Sequence, residues 1–171
     1  MKNNDNVTFR VPLEAESYTE VNARHQNNVN EEIRSRCTFQ RGDACNLVND
    51  FNHGNLGNNQ FDAALLANLL CRLPDPIACL DGLENCLVTD GIAVIVTPFS
   101  WLEQFTHKSK WLGGYNDPVS GTPIESYDRL RVEMEARGFE QVHHEQMPLV
   151  IREHRRKYQY IVSEATGWRK K

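Results

Sequence analysis

The sequence predicts an α/β fold in which a helix joins two buried, parallel β-strands. Residues 63–70 form an apolar run that only Asn68 interrupts. Such a run is typical of a parallel strand covered on both faces, whereas a half-exposed strand would alternate with polar residues. Residues 92–97 form a second apolar run, which Pro98 ends. The two runs predict neighbouring strands of one sheet.

The segment between these strands has the signals of a helix. Asp75 is a favourable N-cap residue, and Pro76 suits the first helical position. Apolar residues then recur at helical spacing, namely Ile77, Leu80, Leu83 and Leu87. Gly91, after Asp90, predicts a turn out of the helix. Strand, helix and strand over this length form a βαβ unit.

The N-terminal part predicts a small β-hairpin. Apolar residues alternate with polar ones in two short runs, which contain Val7, Phe9 and Val11, then Tyr18, Thr19 and Val21. Residues 22–36 are polar and rich in Asn, with a short helix predicted around residues 29–33. We therefore expect a hairpin and connector over residues 1–36 and the main domain over residues 37–171.

A carboxylate follows the next predicted strand, residues 37–40. This strand runs into Gly42, Asp43, Ala44 and Cys45. The Asp43 carboxylate can accept hydrogen bonds from a ligand amine, while the backbone N–H groups after it donate to ring nitrogens. The alternative is a Gly-Asp turn closed by its own side chain, the commoner use of this dipeptide. Residues 46–60 then form a polar loop.

Asn68 stands at the carboxyl end of the strand predicted over residues 63–70. Ligands of open α/β sheets bind outside the carboxyl ends of the strands, so a polar side chain there can face a ligand. The alternative is that Asn68 caps a turn. Both interpretations stay open for this residue.

Aromatic residues are concentrated just past the second predicted strand, in residues 99–115. They include Trp101, Phe105, Trp111 and Tyr115. Aromatic side chains at the binding edge of a sheet can line a substrate pocket or form a lid over it. They can equally anchor the loop to the body of the protein, and for any single Trp the anchor is favoured.

The last part of the chain predicts one helix and two strands. Ser126 resembles an N-cap, Leu130 and Met134 share a helical face, and Gly138 stops the helix. Residues 139–142 and 158–162 predict strands that close the sheet as an antiparallel hairpin. The basic run between them includes Arg152, His154 and Arg155, which suit either a clamp on a substrate carboxylate or a solvated turn.

Composition limits the class of protein. With 40% hydrophobic residues, 25% charged residues and a net charge of −4, the chain should fold and should not bind nucleic acid wholesale. The sequence has no apolar run long enough to span a membrane and no leader-like start, so we expect a cytoplasmic protein without a membrane partner. The five cysteines lack a C-x-x-C pair, which predicts free thiols in the core.

Several catalytic motifs are missing from the sequence. His143 and His144 are adjacent on a predicted strand and would point to opposite faces, so we predict no metal site. No Gly-x-Ser-x-Gly or P-loop motif supports a hydrolase or kinase. No Gly-x-Gly occurs among the ten glycines, so the loop that cradles a cofactor after the first strand of a Rossmann-like sheet is absent.

Together these strands and loops resemble the Rossmann-like class I S-adenosylmethionine-dependent methyltransferases. More specific strings resemble the mercaptohistidine N-methyltransferase domains of ovothiol biosynthesis over residues 39–168. These strings are Gly42-Asp43-Ala44-Cys45-Asn46-Leu47, Asn68-Leu69-Leu70-Cys71-Arg72-Leu73-Pro74, Ser100-Trp101-Leu102-Glu103, Lys110-Trp111-Leu112-Gly113-Gly114, Ile151-Arg152-Glu153-His154 and Lys157-Tyr158-Gln159. The resemblance implies methyl transfer from S-adenosylmethionine to an imidazole nitrogen of 5-thiohistidine.

The resemblance also implies roles at the cofactor. Asp43 would accept from the adenine amino group, and the N–H of Ala44 would meet the adenine ring with Cys45 beside it. Ala67 and Asn68 would lie beside the methionine portion and the transferred methyl group.

Roles at the acceptor follow from the same resemblance. Trp101, Trp111 and Tyr115 would surround the acceptor, and Arg152 or Arg155 would bind its carboxylate. The site must hold the ring nitrogen in line with the methyl group and exclude water. A base is left open between His154, His107 and a tyrosine.

The chain departs from this family in one respect. The first two strands of the sheet and the glycine loop are absent, so the expected sheet is incomplete and ends in an antiparallel hairpin. We therefore expect a fragment whose partner is a missing N-terminal half or a sulfoxide synthase domain. The alternatives are a non-catalytic remnant that pairs through its exposed strand edge, and a class I methyltransferase for another small molecule.

Overall fold

The computed structural model describes residues 7–23, 31–47 and 61–171, a mixed α/β structure with a central sheet. The chain divides into two compact units, Met1–Arg41 with Val150–Ile161 and Gly42–Leu149 with Val162–Lys171. Most of the predicted polar loop lies outside the described residues. The division into residues 1–36 and 37–171 stays a prediction.

The first unit contains the predicted N-terminal hairpin. Strands β1 (Val7–Glu14) and β2 (Ser17–Ala23) pair antiparallel, with Phe9 opposite Val21. A short helix, α1 (Glu31–Ser35), follows close to the predicted position.

The central sheet contains four strands in the order β3-β4-β8-β7. The elements after α1 are β3 (Phe61–Ala67), α2 (Pro76–Cys86), β4 (Leu87–Thr97), β5 (Tyr115–Asn116), β6 (Pro123–Ile124), α3 (Ser126–Ala136), β7 (Phe139–His154) and β8 (Lys157–Lys170). Strand β4 pairs parallel with β3, as the sequence predicts, and antiparallel with β8. The short strands β5 and β6 pair with each other.

Strand β3 is more exposed than its apolar sequence predicts. It stands at the end of the sheet order and, within the described residues, pairs only with β4. On its faces, Leu65 is 69% exposed. The prediction of a strand buried on both faces is therefore wrong for β3, because Leu66 is the one fully buried residue among its seven. In β4, which pairs with a strand on each edge, fully buried residues alternate with half-buried ones from Gly91 to Thr97.

The strand predicted over residues 37–40 is not formed in the described part of the chain. These residues have no regular secondary structure, and Phe39 is 74% exposed. A β-prone sequence becomes a strand only when another strand accepts its hydrogen bonds, because an isolated strand leaves its backbone groups unpaired.

The helix-to-strand junction also differs from the prediction. Leu87, assigned by its spacing to the helix, is the first residue of β4, and α2 ends at Cys86. The predicted turn at Asp90 and Gly91 lies inside β4 as an irregularity in register, with Asp90 at a φ of +64°. A single left-handed residue is sufficient to shift the register without ending the strand.

The C-terminal hairpin is longer than predicted. Strand β7 continues through most of the predicted basic turn, and only Arg155 and Arg156 form the turn itself. Pro148 lies inside β7. A proline is tolerated there because β7 is an edge strand, where one backbone donor can be missing.

Buried apolar side chains from every major element of the second unit form the core. They include Leu66, Leu80, Leu83, Ile95, Leu130, Met134, Phe139 and Trp168. Cys71, Cys79 and Cys86 are free and buried, as predicted, and burial raises the pKa of the Cys79 thiol to about 12. None of the helices in the described part of the chain combines the length and apolar character that crossing a bilayer requires.

Replacing Asp75 tests the predicted start of α2. Asp75 Oδ1 accepts from the Ala78 N–H at 3.2 Å, and Oδ2 accepts from Lys110 Nζ at 2.7 Å. We expect Asp75→Ala to lower the free energy of unfolding by about 1 kcal/mol at neutral pH, because the cap is lost. Asp75→Asn should cost less, since it keeps the cap and loses only an exposed ion pair. Urea unfolding measures both, and equal losses would contradict the capping role.

The pH dependence of this contribution has a defined sign. The hydrogen bond from Lys110 lowers the pKa of Asp75 below its ordinary value of 3.8. The stabilisation is therefore fully present above that value and is lost as the pH falls through the lowered pKa of the folded state. We expect the difference between the wild type and Asp75→Asn to disappear in that acidic range.

Candidate functional site

Asn68 follows the last residue of β3 and has a backbone conformation that few residue types adopt. The φ angle of Asn68 is +53°, and its backbone N–H donates to Val96 O at 2.8 Å. Both Asn68 and Ala67 are exposed. Asparagine is one of the few residues that tolerate the left-handed region. Asn68 therefore both makes the turn and stands at the carboxyl edge of two parallel strands.

Asp43 closes a turn on itself. Its Oδ1 accepts from the Cys45 N–H at 2.9 Å, and its carbonyl accepts from the Asn46 N–H at 2.9 Å. This is the turn alternative that the dipeptide predicts. Ala44 and Cys45 are half-buried against the core, whereas Asp43 is exposed. Its predicted contact with adenine stays a prediction.

A cleft of about 390 Å³ lies beyond the carboxyl end of β4. Its lining residues are Phe99, Gly114, Tyr115, Asn116, Pro123, Ile124, Glu125, Ser126, Tyr127 and Glu164. The volume is in the range of small-molecule sites. Tyr115 is the predicted site residue that lines it. A neighbouring space of about 610 Å³ shares Tyr115 and Asn116 and has Lys108 in its wall.

Glu164 enters this cleft from β8, where it stands opposite Thr97 of β4. Its Oε2 lies 2.6 Å from His144 Nε2. The His144 ring stacks on Tyr127 with 4.3 Å between centroids and 14° between planes. Carboxylate, imidazole and phenol ring thus form one cluster from β8, β7 and α3.

Sequence reasoning missed this cluster. The adjacent His143 and His144 predict opposite faces of a strand, and the structure agrees in giving them different partners, Glu145 and Glu164. The residues next to Glu164 in the sequence give no sign of its role, because its contact with His144 depends on how β7, β8 and α3 pack. The one signal in the sequence was that adjacent residues of a strand point to opposite faces. One histidine of the pair must therefore face the side of the sheet on which α3 packs.

The two predicted tryptophans anchor the aromatic loop. Trp101 is only 7% exposed, donates from Nε1 to Ser126 Oγ at 2.8 Å and stacks on Trp111 with 6.4 Å between centroids. Trp111 donates from Nε1 to Thr106 O at 2.8 Å. The prediction that Ser126 is the N-cap of this helix is wrong, because Ser126 is the first residue of α3 and Glu125 is the N-cap. The roles of Trp101 and Trp111 in binding substrate stay predictions.

The basic residues of the hairpin belong to the first unit. Arg155 Nη2 pairs with Glu14 Oε2 at 3.0 Å, and His154 Nδ1 accepts from the Arg156 N–H at 3.2 Å. Arg152 is exposed on β7. The remaining predicted site residues, Asp43 to Cys45, Ala67, Asn68, Trp101, Trp111 and Tyr115, belong to the second unit. Of the bases left open, His107 is exposed and bonded to Ser109.

Comparison with known proteins places the fold. No known protein family and no curated protein matches the sequence. Among solved structures, a SAM-dependent methyltransferase from Methanosarcina mazei is 16% identical with a TM-score of 0.52, over 77% of this chain and 66% of that one. A second solved structure is 15% identical, with a TM-score of 0.50, over 77% of this chain and 55% of that one. It is described as "Conversion of a Disulfide Bond into a Thioacetal Group during Echinomycin Biosynthesis".

These comparisons concern the fold. The chain spans about two thirds of the first of these structures and little more than half of the second. At such low identity the likeness extends to architecture and not to substrate. The chain therefore shares, over most of its length, the α/β fold of a SAM-dependent methyltransferase.

Proposed function

We propose that this chain is a methyltransferase that uses S-adenosylmethionine and acts on an imidazole nitrogen of 5-thiohistidine. The observation that carries the methyl-transfer part is the cleft at the carboxyl edge of β4, in a fold shared with a SAM-dependent methyltransferase. Ligands of open α/β sheets bind at this edge. The choice of acceptor rests on the resemblance of the sequence strings.

The residues fit two parts of the cofactor. Asp43 offers an exposed carboxylate beside half-buried Ala44 and Cys45, which suits the amino group and apolar face of adenine. Ala67 and Asn68 are exposed at the strand end, where the methionine portion would lie. When bound, the cofactor supplies an electrophilic methyl group on a sulfonium. The sequence offers no Gly-x-Gly loop for its central part.

The chain's own contribution is to orient the acceptor. Phe99, Tyr115 and Tyr127 present aromatic rings to the cleft, and such walls suit a planar heteroaromatic ring. Holding the ring nitrogen at about 3 Å from the methyl carbon and excluding water supplies most of what this reaction needs. Tyr115 is the candidate catalytic residue that faces this space.

Calorimetric titration with S-adenosylmethionine tests the proposal. We expect binding heat at millimolar cofactor, and its complete absence would overturn the enzyme proposal for this chain alone. Incubation with both S-adenosylmethionine and 5-thiohistidine should add the mass of one methylene group to the acceptor. Cofactor binding without that product would favour a class I methyltransferase that acts on another small molecule.

Two substitutions at Asn68 separate its backbone role from its side-chain role. Asn68→Gly keeps the left-handed turn and removes the amide, so we expect unchanged stability and about tenfold weaker cofactor binding. Asn68→Val places a β-branched residue at φ of +53° and should lower the free energy of unfolding by about 1–2 kcal/mol. Calorimetry and urea unfolding measure the two effects. Unchanged cofactor affinity in Asn68→Gly would remove Asn68 from the site.

A second candidate function is suggested by the edge of β3. Leu65 is largely exposed, and an apolar cavity of about 260 Å³ runs along β3 between Ala44, Leu69 and α2. A third of the Methanosarcina mazei structure lies beyond the match. An apolar strand from a complete methyltransferase chain would extend the sheet here. The protein would then be a non-catalytic remnant that acts as an interaction module.

Sedimentation with a complete class I methyltransferase of the same organism tests this second candidate. We expect the two wild-type chains to form a complex. We expect Leu65→Lys to abolish this complex, because a charge at the strand edge opposes the addition of another strand. Tyr160→Lys, an equally exposed position on β8, is the matched control. Separate sedimentation of the two wild-type chains would contradict the interaction.

A further inference from the structure

The cleft beyond β4 has the character of a site for a cation or an N–H donor. Among the residues that the structure describes, its lining includes two carboxylates, Glu125 and Glu164, and neither lysine nor arginine. Phe99, Tyr115 and Tyr127 also line the cleft, and the electron-rich face of an aromatic ring attracts cations. A carboxylate can accept only, so its natural partner is a nitrogen that carries a proton.

Glu164 is held in place before any ligand arrives. His144 Nε2 donates to its Oε2 at 2.6 Å, and Gln146 Nε2 reaches its Oε1 at 3.4 Å. Its backbone stands opposite Thr97, at the carboxyl end of the central strand β4. A carboxylate has about four acceptor positions, so these two neighbours leave acceptor capacity on the cleft side.

His144 is itself fixed by contacts on α3. Its ring stacks on Tyr127, whose hydroxyl accepts from Gln141 Nε2 at 3.0 Å. Preorganised groups of this kind can stabilise charge without rearranging during a reaction.

We propose that Glu164 binds the N–H of the acceptor ring in this cleft, with His144 as a positioning residue, so that the acceptor is an imidazole or a similar nitrogen heterocycle. This inference rests on the proposed function. It adds the acceptor-binding group, which lies on β8 and not in the aromatic loop or the basic hairpin.

The role of Glu164 follows from the movement of charge during transfer. In the proposed transfer, the lone pair of the ring nitrogen would form a bond to the methyl carbon of S-adenosylmethionine, whose carbon–sulfur bond would break and leave its electron pair on sulfur. The positive charge thereby passes to the ring, whose other N–H donates to Glu164. Transfer of that proton to Glu164, and then to water, leaves a neutral methylated ring. A carboxylate beside the ring stabilises the charge as it develops.

Imidazole is the probe that tests this assignment without cofactor. Titration of the labelled wild-type protein, followed by NMR, should shift the Glu164 carboxyl carbon and the signals of Tyr127. Glu164→Gln should weaken imidazole binding about tenfold, because a charged hydrogen bond becomes a neutral one. Glu145→Gln is the matched control, since Glu145 is exposed and pairs with His143 instead, and its affinity should not change.

His144 variants test the positioning role. His144→Ala should weaken imidazole binding, and His144→Gln, which restores a donor to Glu164, should recover part of it. A purely structural role would instead lower thermal stability equally in both and leave imidazole affinity unchanged.

The outcomes separate this inference from the proposed function. Wild-type shifts that lie outside the cleft, or equal affinity in folded Glu164→Gln, overturn the inference. The wild-type shift pattern decides the matter even if Glu164→Gln does not fold. Glu164-dependent imidazole binding in a protein that fails to bind S-adenosylmethionine would retain the inference and reject methyl transfer.

Discussion

Replacing Trp168 by alanine is expected to lower the free energy of unfolding by about 3–5 kcal/mol. Trp168 is fully buried in β8 opposite Ala93 of β4, and its Nε1 donates to Thr166 Oγ1 at 2.8 Å. Alanine would leave a large cavity in the core and remove the donor to a buried hydroxyl. Both losses act on the junction between the parallel and antiparallel parts of the sheet.

Urea unfolding followed by far-UV circular dichroism measures this loss independently of tryptophan fluorescence. Trp168→Phe should cost less, and it remains measurable if the alanine variant does not fold. Tyr160→Ala, on the same strand and 70% exposed, should change stability by no more than about 0.5 kcal/mol. Equal effects of Trp168→Ala and Tyr160→Ala would contradict the assigned core.

Gly113→Ala is expected to have the second-largest effect, about 3 kcal/mol, and to disturb the cleft. A Cβ at Gly113 would lie 2.6 Å from both Glu125 C and Ser126 N. These are backbone atoms at the start of α3, which cannot move aside as a flexible side chain can. The loop and α3 must therefore separate, and Ser126 would withdraw from Trp101.

Near-UV circular dichroism checks this expectation, because the buried and stacked Trp101 reports the loop position. The matched control is Gly121→Ala, where an added Cβ meets nothing within 4 Å and the cost is confined to a φ of +72°. Gly121→Ala should keep the wild-type aromatic signal. An unchanged signal in Gly113→Ala would show that this close approach does not hold the cleft.

The local signals of the sequence were sufficient for the start of α2 and for the buried face of α3. Asp75 caps α2 as its type and position predict, and Leu130 and Met134 are buried on one face of α3. Such features depend on contacts a few residues apart, so the sequence near them contains the information. The parallel pairing of β3 and β4 was predictable for a similar reason, since a helix must connect them.

The extent of the strands was less predictable. Residues 37–40 and β3 have similar β-forming sequences, yet only β3 pairs with another described strand. Strand β7 runs to His154 through a segment that reads as a charged turn. Hydrogen bonds between strands are made by residues distant in sequence, so a strand's own residues do not determine its length.

The residues of the candidate site also differ in whether the local sequence could identify them. A strand end and an aromatic loop mark Asn68 and Tyr115 locally, and the structure places Asn68 just after β3 and Tyr115 in the lining of the cleft. Trp101 carries a similar local mark, but its buried indole N–H bonds to Ser126, which the sequence could not show. Glu164 and His144 were missed because they come from different strands and meet 20 residues apart.

Residue type and spacing thus predicted an α/β chain with a parallel strand pair, a capped start of α2 and a polar residue at a strand end. Packing in three dimensions decided the exposure of Leu65 on β3, the anchoring of the tryptophans and the joining of Glu164, His144 and Tyr127 beside one cleft. The physical reason is range: capping and helical periodicity act within a few residues. Strand pairing and side-chain clusters instead depend on the free energy of the whole folded chain.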